Sequence, residues 1–302
     1  MIAGFRLFSI LLLAVLTQAA QAQQAYPSAD AAAEALVAAL GSEKGDAERL
    51  AALLGDDWKS YIPTGDVERE DVDAFLALYR EKHVIEPAAE GRAALVVGNT
   101  PWTFPLPLVQ DKAGWTFDTK TGGEEIRVRR IGRNELATVQ AALAYHDAQM
   151  DYAEVDRDGD GVLEYAQKFI SSDGLYDGLY WAEEPGIEQS PLGPLFGDEL
   201  PDGEWQGYHY RILGAQGPSA PGGAYGYQLG DNMSRGFALI AWPARYADSG
   251  VMSFMISHDG QVFEKDLGPD GAQLATAMSR FDPDSSWSEV AAEAEEQVLA
   301  TP

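Results

Sequence analysis

A chain of 302 residues with 46% hydrophobic and 10% aromatic side chains carries enough apolar material for one large or two ordinary domains, which excludes an intrinsically disordered protein. Its 48 acidic against 21 basic side chains give a formal net charge of −27, a field that repels nucleic acid and anionic membranes and favours cations or basic partners. With no cysteine, a disulfide framework, thiol chemistry and a lipoprotein anchor are excluded, so stability comes from the core and from any metal the chain holds.

Residues 1–22 read as a signal peptide: Arg6, the apolar run Leu7 to Leu16, then the small-x-small triplet Ala20-Gln21-Ala22 that a signal peptidase accepts. Cleavage is expected after Ala22, leaving a mature chain one charge more negative through loss of Arg6. The run is shorter than the roughly 18 to 20 apolar residues of a spanning helix, and no later segment approaches that length. The expectation is a periplasmic or secreted protein whose mature chain has no stable membrane insertion.

An N-terminal helical and β region is expected over residues 23–131. Ser28 or Asp30 can cap a helix in which Ala33, Leu36, Val37 and Leu40 fall at helical spacing before Gly41. A second runs from Asp46 to Leu54 with Leu50, Leu53 and Leu54 on one side, ending at Gly55. Asp66 or Glu68 opens a third, with Val72, Phe75, Leu76 and Tyr79 as its stripe, ending near His83. The period then changes. Ala93 to Val97 is a β-branched strand, Trp102 to Pro107 a proline-stiffened edge, and Trp115 to Asp118 a half-buried strand. A Gly122-Gly123 turn is expected to return the chain through Ile126, Val128 and Ile131.

A helix-plus-antiparallel-sheet domain follows over 132–288. Asn134 caps a long helix to about Glu154, with Leu136, Val139, Leu143, Met150 and Ala153 as its packing stripe and His146 between them. The helix runs into the loop Asp156-Arg-Asp-Gly-Asp-Gly161. Beyond an aromatic stretch from Asp173 to Trp181 and a segment rich in Pro and Gly, strands are predicted at Gly207 to Leu213, Ala224 to Leu229, Phe237 to Trp242, Val251 to Ser257 and Gln261 to Leu267. The last two join through His258-Asp259-Gly260, whose Asp-Gly suits a hairpin. The tail, 289–302, contains an acidic, Ala-rich helix or a frayed end from Glu289 to Ala300. The fold class is therefore α+β: a helical region with a small sheet, then a long helix packed on an antiparallel sheet.

Three resemblances rest on these residues. Gly114-Trp-Thr-Phe-Asp118, Arg129 to Leu136, Glu164-Tyr-Ala-Gln-Lys168, Asp177 to Trp181, Ser190-Pro-Leu-Gly-Pro194, Ala241-Trp-Pro243 and Lys265-Asp-Leu-Gly-Pro269, in that order, are similar to the bacterial family catalogued as domain of unknown function 2950. That family supplies no catalytic residue to carry over. Residues 134–268, a helix, an Asp-rich loop ending in Glu-Tyr and an Asp-Gly hairpin, look like the globular part of type IV pilin-like proteins, without their continuous prepilin N-terminal helix. Three helices followed by strands closing on Trp115-Thr-Phe-Asp118 resemble the nuclear-transport-factor-2-like cone fold in element order.

For chemistry, the acidic loop stands first. Asp156, Asp158 and Asp160 occupy ligand positions 1, 3 and 5 of an Asp-x-Asp-x-Asp-Gly calcium pattern, with Gly161 at the turn, the Val162 carbonyl at 7 and Glu164 at 9. Gln167 stands where an EF-hand has its bidentate Glu, so a weaker calcium site tuned to extracellular ion levels is one reading, and a solvated Asp/Gly turn the other. Arg127, Arg129, Arg130 and Arg133 sit just before the predicted helix start, where an anion can dock or internal carboxylates pair. His146, His209 and His258 are the candidates for hydrolytic chemistry, yet no Gly-x-Ser-x-Gly elbow, His-Glu-x-x-His helix or P-loop is present. Tyr176, Tyr180, Trp181, Trp205 and Tyr208 can stack on sugar or peptide, or pack internally. The first reading is a non-catalytic envelope or interaction protein, stabilised by calcium, with an envelope protein or polymer as partner. The alternative is a hydrolase of envelope glycan or peptide, its pocket between the Gly214 to Gly230 loop and the aromatic segment.

Overall fold

The computed structural model describes residues 23–41, 46–63, 65, 67–183, 185–193 and 203–291, so the expected signal peptide and the tail beyond residue 291 lie outside the described residues. The fold is α+β, and the chain divides into two compact units, Met1–Ile126 and Arg127–Pro302.

The first unit opens with α1 (Ala29–Leu40) and α2 (Ala47–Leu54), a 3-10 turn at Trp58–Ser60, and α3 (Arg69–Glu81). Each helix starts where a short polar side chain can replace a missing intrahelical acceptor. Ser28 accepts from the Ala31 N–H at 3.1 Å, Asp46 from Arg49 at 3.1 Å, and Glu68 with Asp71 forms a reciprocal capping box. Leu76 and Tyr79 of the α3 stripe are buried as the spacing predicts.

Next come β1 (His83–Ala89), β2 (Arg92–Val97), β3 (Trp102–Thr103), β4 (Leu108–Gln110) and β5 (Trp115–Phe117), in an antiparallel sheet ordered β1-β2-β4-β5 with β3 also paired to β2. The sequence reading places no strand at β1. Its side chains are almost all exposed, so the strand carries no buried alternation to read, and its pairing with β2 alone defines it. Leu36, Leu53, Leu106, Leu108 and Phe117 fill the core between the helices and the sheet.

The predicted Gly122-Gly123 turn and the returning strand are incorrect. The helix α4 runs unbroken from Thr119 to Tyr152, beginning far ahead of Asn134. Asp118, predicted as a strand end, accepts from the Thr121 N–H at 3.1 Å and from its hydroxyl at 2.7 Å and so opens the helix. The two glycines serve packing. A Cβ at Gly122 would lie 2.6 Å from Leu106 Cγ, and one at Gly123 would lie 2.6 Å from the Tyr61 carbonyl oxygen. Asn134 is mid-helix, its amide donating to the Ser249 carbonyl at 2.8 Å. The arginine island therefore lies along the helix rather than before its N-terminus.

In the second unit the buried face of α4 is Val139, Ala142, Tyr145, Ala148, Gln149 and Tyr152, while the expected stripe members Leu136 and Met150 are each 46% exposed. The stripe is rotated because polar groups with partners are interior. Gln149 is fully buried, donating to the Ala166 carbonyl and accepting from its N–H, each at 2.8 Å. Behind α4 stands a sheet of β6 (Tyr208–Leu213), β9 (Ala238–Pro243), β10 (Met252–Ser257), β11 (Val262–Asp266) and β12 (Ser288–Glu289), ordered β12-β11-β10-β9-β6 and antiparallel throughout. Tyr145 sets its ring against Phe237, and Tyr210 donates to the Thr138 hydroxyl at 3.3 Å, so α4 covers one face. From the other face Arg211 donates to the Ala275 carbonyl of α5 (Gly271–Ala277), a helix absent from the sequence reading. Covered on both sides, β9 is buried along its whole length.

The predicted strand Ala224 to Leu229 does not join this sheet. Within it β8 (Tyr225–Gly226) pairs with β7 (Ala215–Gln216) in a separate ribbon, and Leu229 makes an isolated bridge with Asn232. The β10–β11 hairpin forms as expected, with Gly260 at φ 83°. Glu289, expected to begin a helix or a frayed end, instead pairs with Phe263 as part of β12.

Candidate metal centre

Three carboxylates converge directly after α4. Asp156, Asp158 and Asp160 each present an oxygen such that all three atoms lie within 4.8 Å of one another. Their arrangement follows from the local sequence. Gly159 and Gly161 adopt φ of 77° and 87°, open to glycine at little cost, which turns the backbone N–H groups inward. One Asp156 oxygen then accepts from Gly159 at 2.8 Å and the other from Gly161 at 2.9 Å. Asp158 accepts from the Asp160 N–H at 3.1 Å, and Asp160 from the Val162 N–H at 2.8 Å.

These backbone donors, Gly161 and then Gly159, hold the half-buried Asp156 carboxyl below its ordinary range. It stays charged, and each carboxylate oxygen keeps a lone pair for a cation. Hard cations of this kind take oxygen ligands.

Glu164 stands apart from the trio. Val162 adjoins it through the N–H bonded to Asp160, and its side chain is exposed. Glu164 takes a backbone hydrogen bond from Met233; its pKa is raised, first by burial and then by the field of Asp158, Asp160 and Asp156. It is near enough to feel the three charges without joining their group.

Two supports have no local sequence signal. Asn232, distant in the chain, donates to the second Asp160 oxygen at 2.6 Å. Arg157 lies inside the loop yet packs inward, its guanidinium carbon 4.9 Å from the Tyr152 ring centre and 5.1 Å from that of Trp181. One of its nitrogens is 3.7 Å from the Glu188 carboxylate, and Trp181 donates to the Glu188 carbonyl at 2.8 Å. The loop is thereby pinned to the end of α4.

The other candidates are dispersed. Arg130 pairs with Asp248, and Arg127 donates to the Ala247 carbonyl at 2.7 Å, so internal pairing accounts for both. His146 contacts the His258 carbonyl at 3.3 Å and the Asp147 carboxylate at 3.1 Å. The His209 ring nitrogen is 2.6 Å from the Gly203 carbonyl, and that of His258 is 3.4 Å from the Tyr225 hydroxyl. Asp177 is engaged by Lys168 at 2.5 Å and by the Ser172 N–H at 2.7 Å, which with the Lys168 charge sets its pKa low against the opposing effect of burial. Among the aromatics, Tyr208 is wholly buried and Trp181 nearly so, while Tyr176 remains exposed.

No helix among the described residues is long and apolar enough to cross a membrane. No curated protein and no solved structure matches the chain, so neither the pilin-like nor the cone-fold likeness has a structural neighbour behind it. A family model does match, over residues 23–290, from the first described residue through the end of the sheet. The chain belongs to the family described as Protein of unknown function (DUF2950).

Proposed function

We propose that this is an exported, non-catalytic envelope protein whose second unit is tied together by a calcium ion held at Asp156, Asp158 and Asp160. The observation that carries the reading is the convergence of three carboxylates within 4.8 Å of one another. Without a cation they repel one another across a tight turn; a divalent ion converts that repulsion into coordination. Three aspartates leave coordination positions to neighbours, and the Val162 carbonyl and Glu164, the latter through a water, complete the set. Calcium suits such an irregular, partly exposed oxygen cage better than magnesium, which demands octahedral geometry and dehydrates reluctantly.

The role follows from position. The loop joins α4 to the segment that lies against Met233, where Tyr165 donates to the Met233 carbonyl at 2.9 Å and Gln167 to that of Asp231 at 2.7 Å. An ion there fixes the exit of the long helix against the sheet's connecting loops, which is a structural duty in a chain that presents a strongly acidic surface to basic or polymeric partners. Calorimetric titration of the mature chain with calcium tests the site: one ion per chain with sub-millimolar to millimolar affinity is expected, with magnesium weaker. Heat indistinguishable from dilution contradicts it. Intact mass of the exported protein tests the mature start, and a mass retaining residues 1–22 contradicts the export reading.

A further inference from the structure

The first unit contains a cavity of about 590 Å³ bounded by α1, α2, α3, the 3-10 turn and the β3–β4 segment. Interiors pack to the density of organic crystals, so an apolar void of this size forfeits contacts that its lining would otherwise make. Ligand pockets, by contrast, span roughly 300 to 1,000 Å³ and are apolar with a few polar groups. Leu36, Leu54, Trp58, Phe75, Phe104 and Leu106 form its walls, and Ala47 and Val67 lie exposed at its edge. Phe75 and Phe104 stand 5.2 Å apart, with Trp102 edge-on to each, giving an aromatic side wall.

The rim carries Lys59, Glu68, Arg69 and Asp71. Three of these charges have internal partners. Glu68 and Asp71 are held in the α3 capping box, Asp71 accepting from the Glu68 N–H at 2.9 Å. Arg69 pairs with Asp73 and donates to the Leu40 carbonyl at 3.0 Å. Lys59 differs: its ammonium lies 5.6 Å from the Trp58 ring centre and has no carboxylate partner among the described residues. In a chain of 48 acidic side chains, an exposed cation left over an apolar mouth is a specific feature.

We infer that this cavity binds a single-chain amphiphile with a carboxylate head, its hydrocarbon tail against the Leu and Phe walls and its head on the Lys59 ammonium. A cationic head would meet Lys59 unfavourably, and a neutral head would forgo the rim cation that has no carboxylate partner among the described residues.

The test uses the full mature chain in chelator, which separates it from the calcium site, with titration calorimetry against decanoate, decanol and decyltrimethylammonium below their micelle concentrations. One decanoate per chain is expected, with decanol about tenfold weaker, as the loss of one charge-assisted contact implies. Lys59→Gln brings decanoate to the level of decanol. Ala47→Trp and, independently, Val67→Trp fill the mouth from exposed positions and abolish both, with unchanged circular dichroism. Absence of decanoate binding to the folded wild type overturns the inference. So does decanoate binding that survives both tryptophan variants, an unaltered affinity in Lys59→Gln, or tighter binding of the ammonium amphiphile.

Discussion

The glycines of α4 give the fold its sharpest test, because helix propensity and packing predict opposite signs at neighbouring positions. A glycine inside a helix costs about 0.8 to 1 kcal/mol relative to alanine, so every Gly→Ala change in α4 carries that gain. At Gly132 nothing lies within 4 Å of an added Cβ, and the full gain is expected. At Gly123 the Cβ meets the Tyr61 carbonyl oxygen at 2.6 Å and its carbonyl carbon at 3.1 Å, backbone atoms that cannot rotate away. Forcing an extra carbon into packed surroundings costs about 1 to 3 kcal/mol, and a backbone clash belongs at the upper end, leaving a net loss of about 2 kcal/mol. Thermal unfolding should therefore raise Tm in Gly132→Ala by a few degrees and lower it in Gly123→Ala by about 5 °C. If Gly123→Ala stabilises as much as Gly132→Ala, the helix does not pack on Tyr61 and the account of the Gly-Gly pair is wrong.

Replacing Gln149 by Leu keeps the volume but strands the N–H and carbonyl of Ala166; a loss of about 3 kcal/mol in urea unfolding is expected, and a loss under 1 kcal/mol would show that water satisfies both groups. Arg157→Ala removes a guanidinium stacked between Tyr152 and Trp181 and should cost about 2 kcal/mol, with the tryptophan emission shifting red; an unchanged spectrum would contradict the stacking. Burial, followed by the field of Glu135, raises the Glu264 pKa. A carboxyl that binds its proton more tightly when folded makes stability fall as pH rises from the unfolded pKa through the raised folded value. Glu264→Gln should flatten that decline across the mildly acidic range, and parallel stability profiles for the two proteins would refute the cause assigned.

Local chemistry made the first helices and the acidic loop legible. Ser28, Asp46 and Glu68 are caps whose side chains bond their own backbone, and Asp156 to Gly161 fold on glycine dihedrals and short-range hydrogen bonds. The hairpin at Gly260 was readable for the same reason. What escaped was set by distant partners. Gly122-Gly123 has the composition of a turn, and only Leu106 and Tyr61 show that it is helix under close packing. The face of α4 was misplaced because Gln149 and Thr138 are interior through partners elsewhere in the chain, whereas Leu136 and Met150 are left outside. At the candidate site, the trio of aspartates was readable from spacing, but Asn232 and the inward stack of Arg157 on Trp181 were not, since both depend on residues brought together by the fold.

The central claim is that calcium fixes the end of α4, and the most direct measurement is the melting curve of the mature chain in chelator and in ten millimolar calcium, for wild type and for Asp158→Ala/Asp160→Ala. A ligand that binds only the folded state stabilises it by about 1.4 to 2.7 kcal/mol at roughly 10 to 100 times its Kd, the range reached here by an extracellular-type site of about 10⁻⁴ to 10⁻³ M. For a protein of this size that is a rise of about 3 to 10 °C in the wild type. The double variant should show no calcium response. Superimposable wild-type curves with and without calcium would contradict the account, leaving Asp156, Asp158 and Asp160 as an ordinary solvated turn.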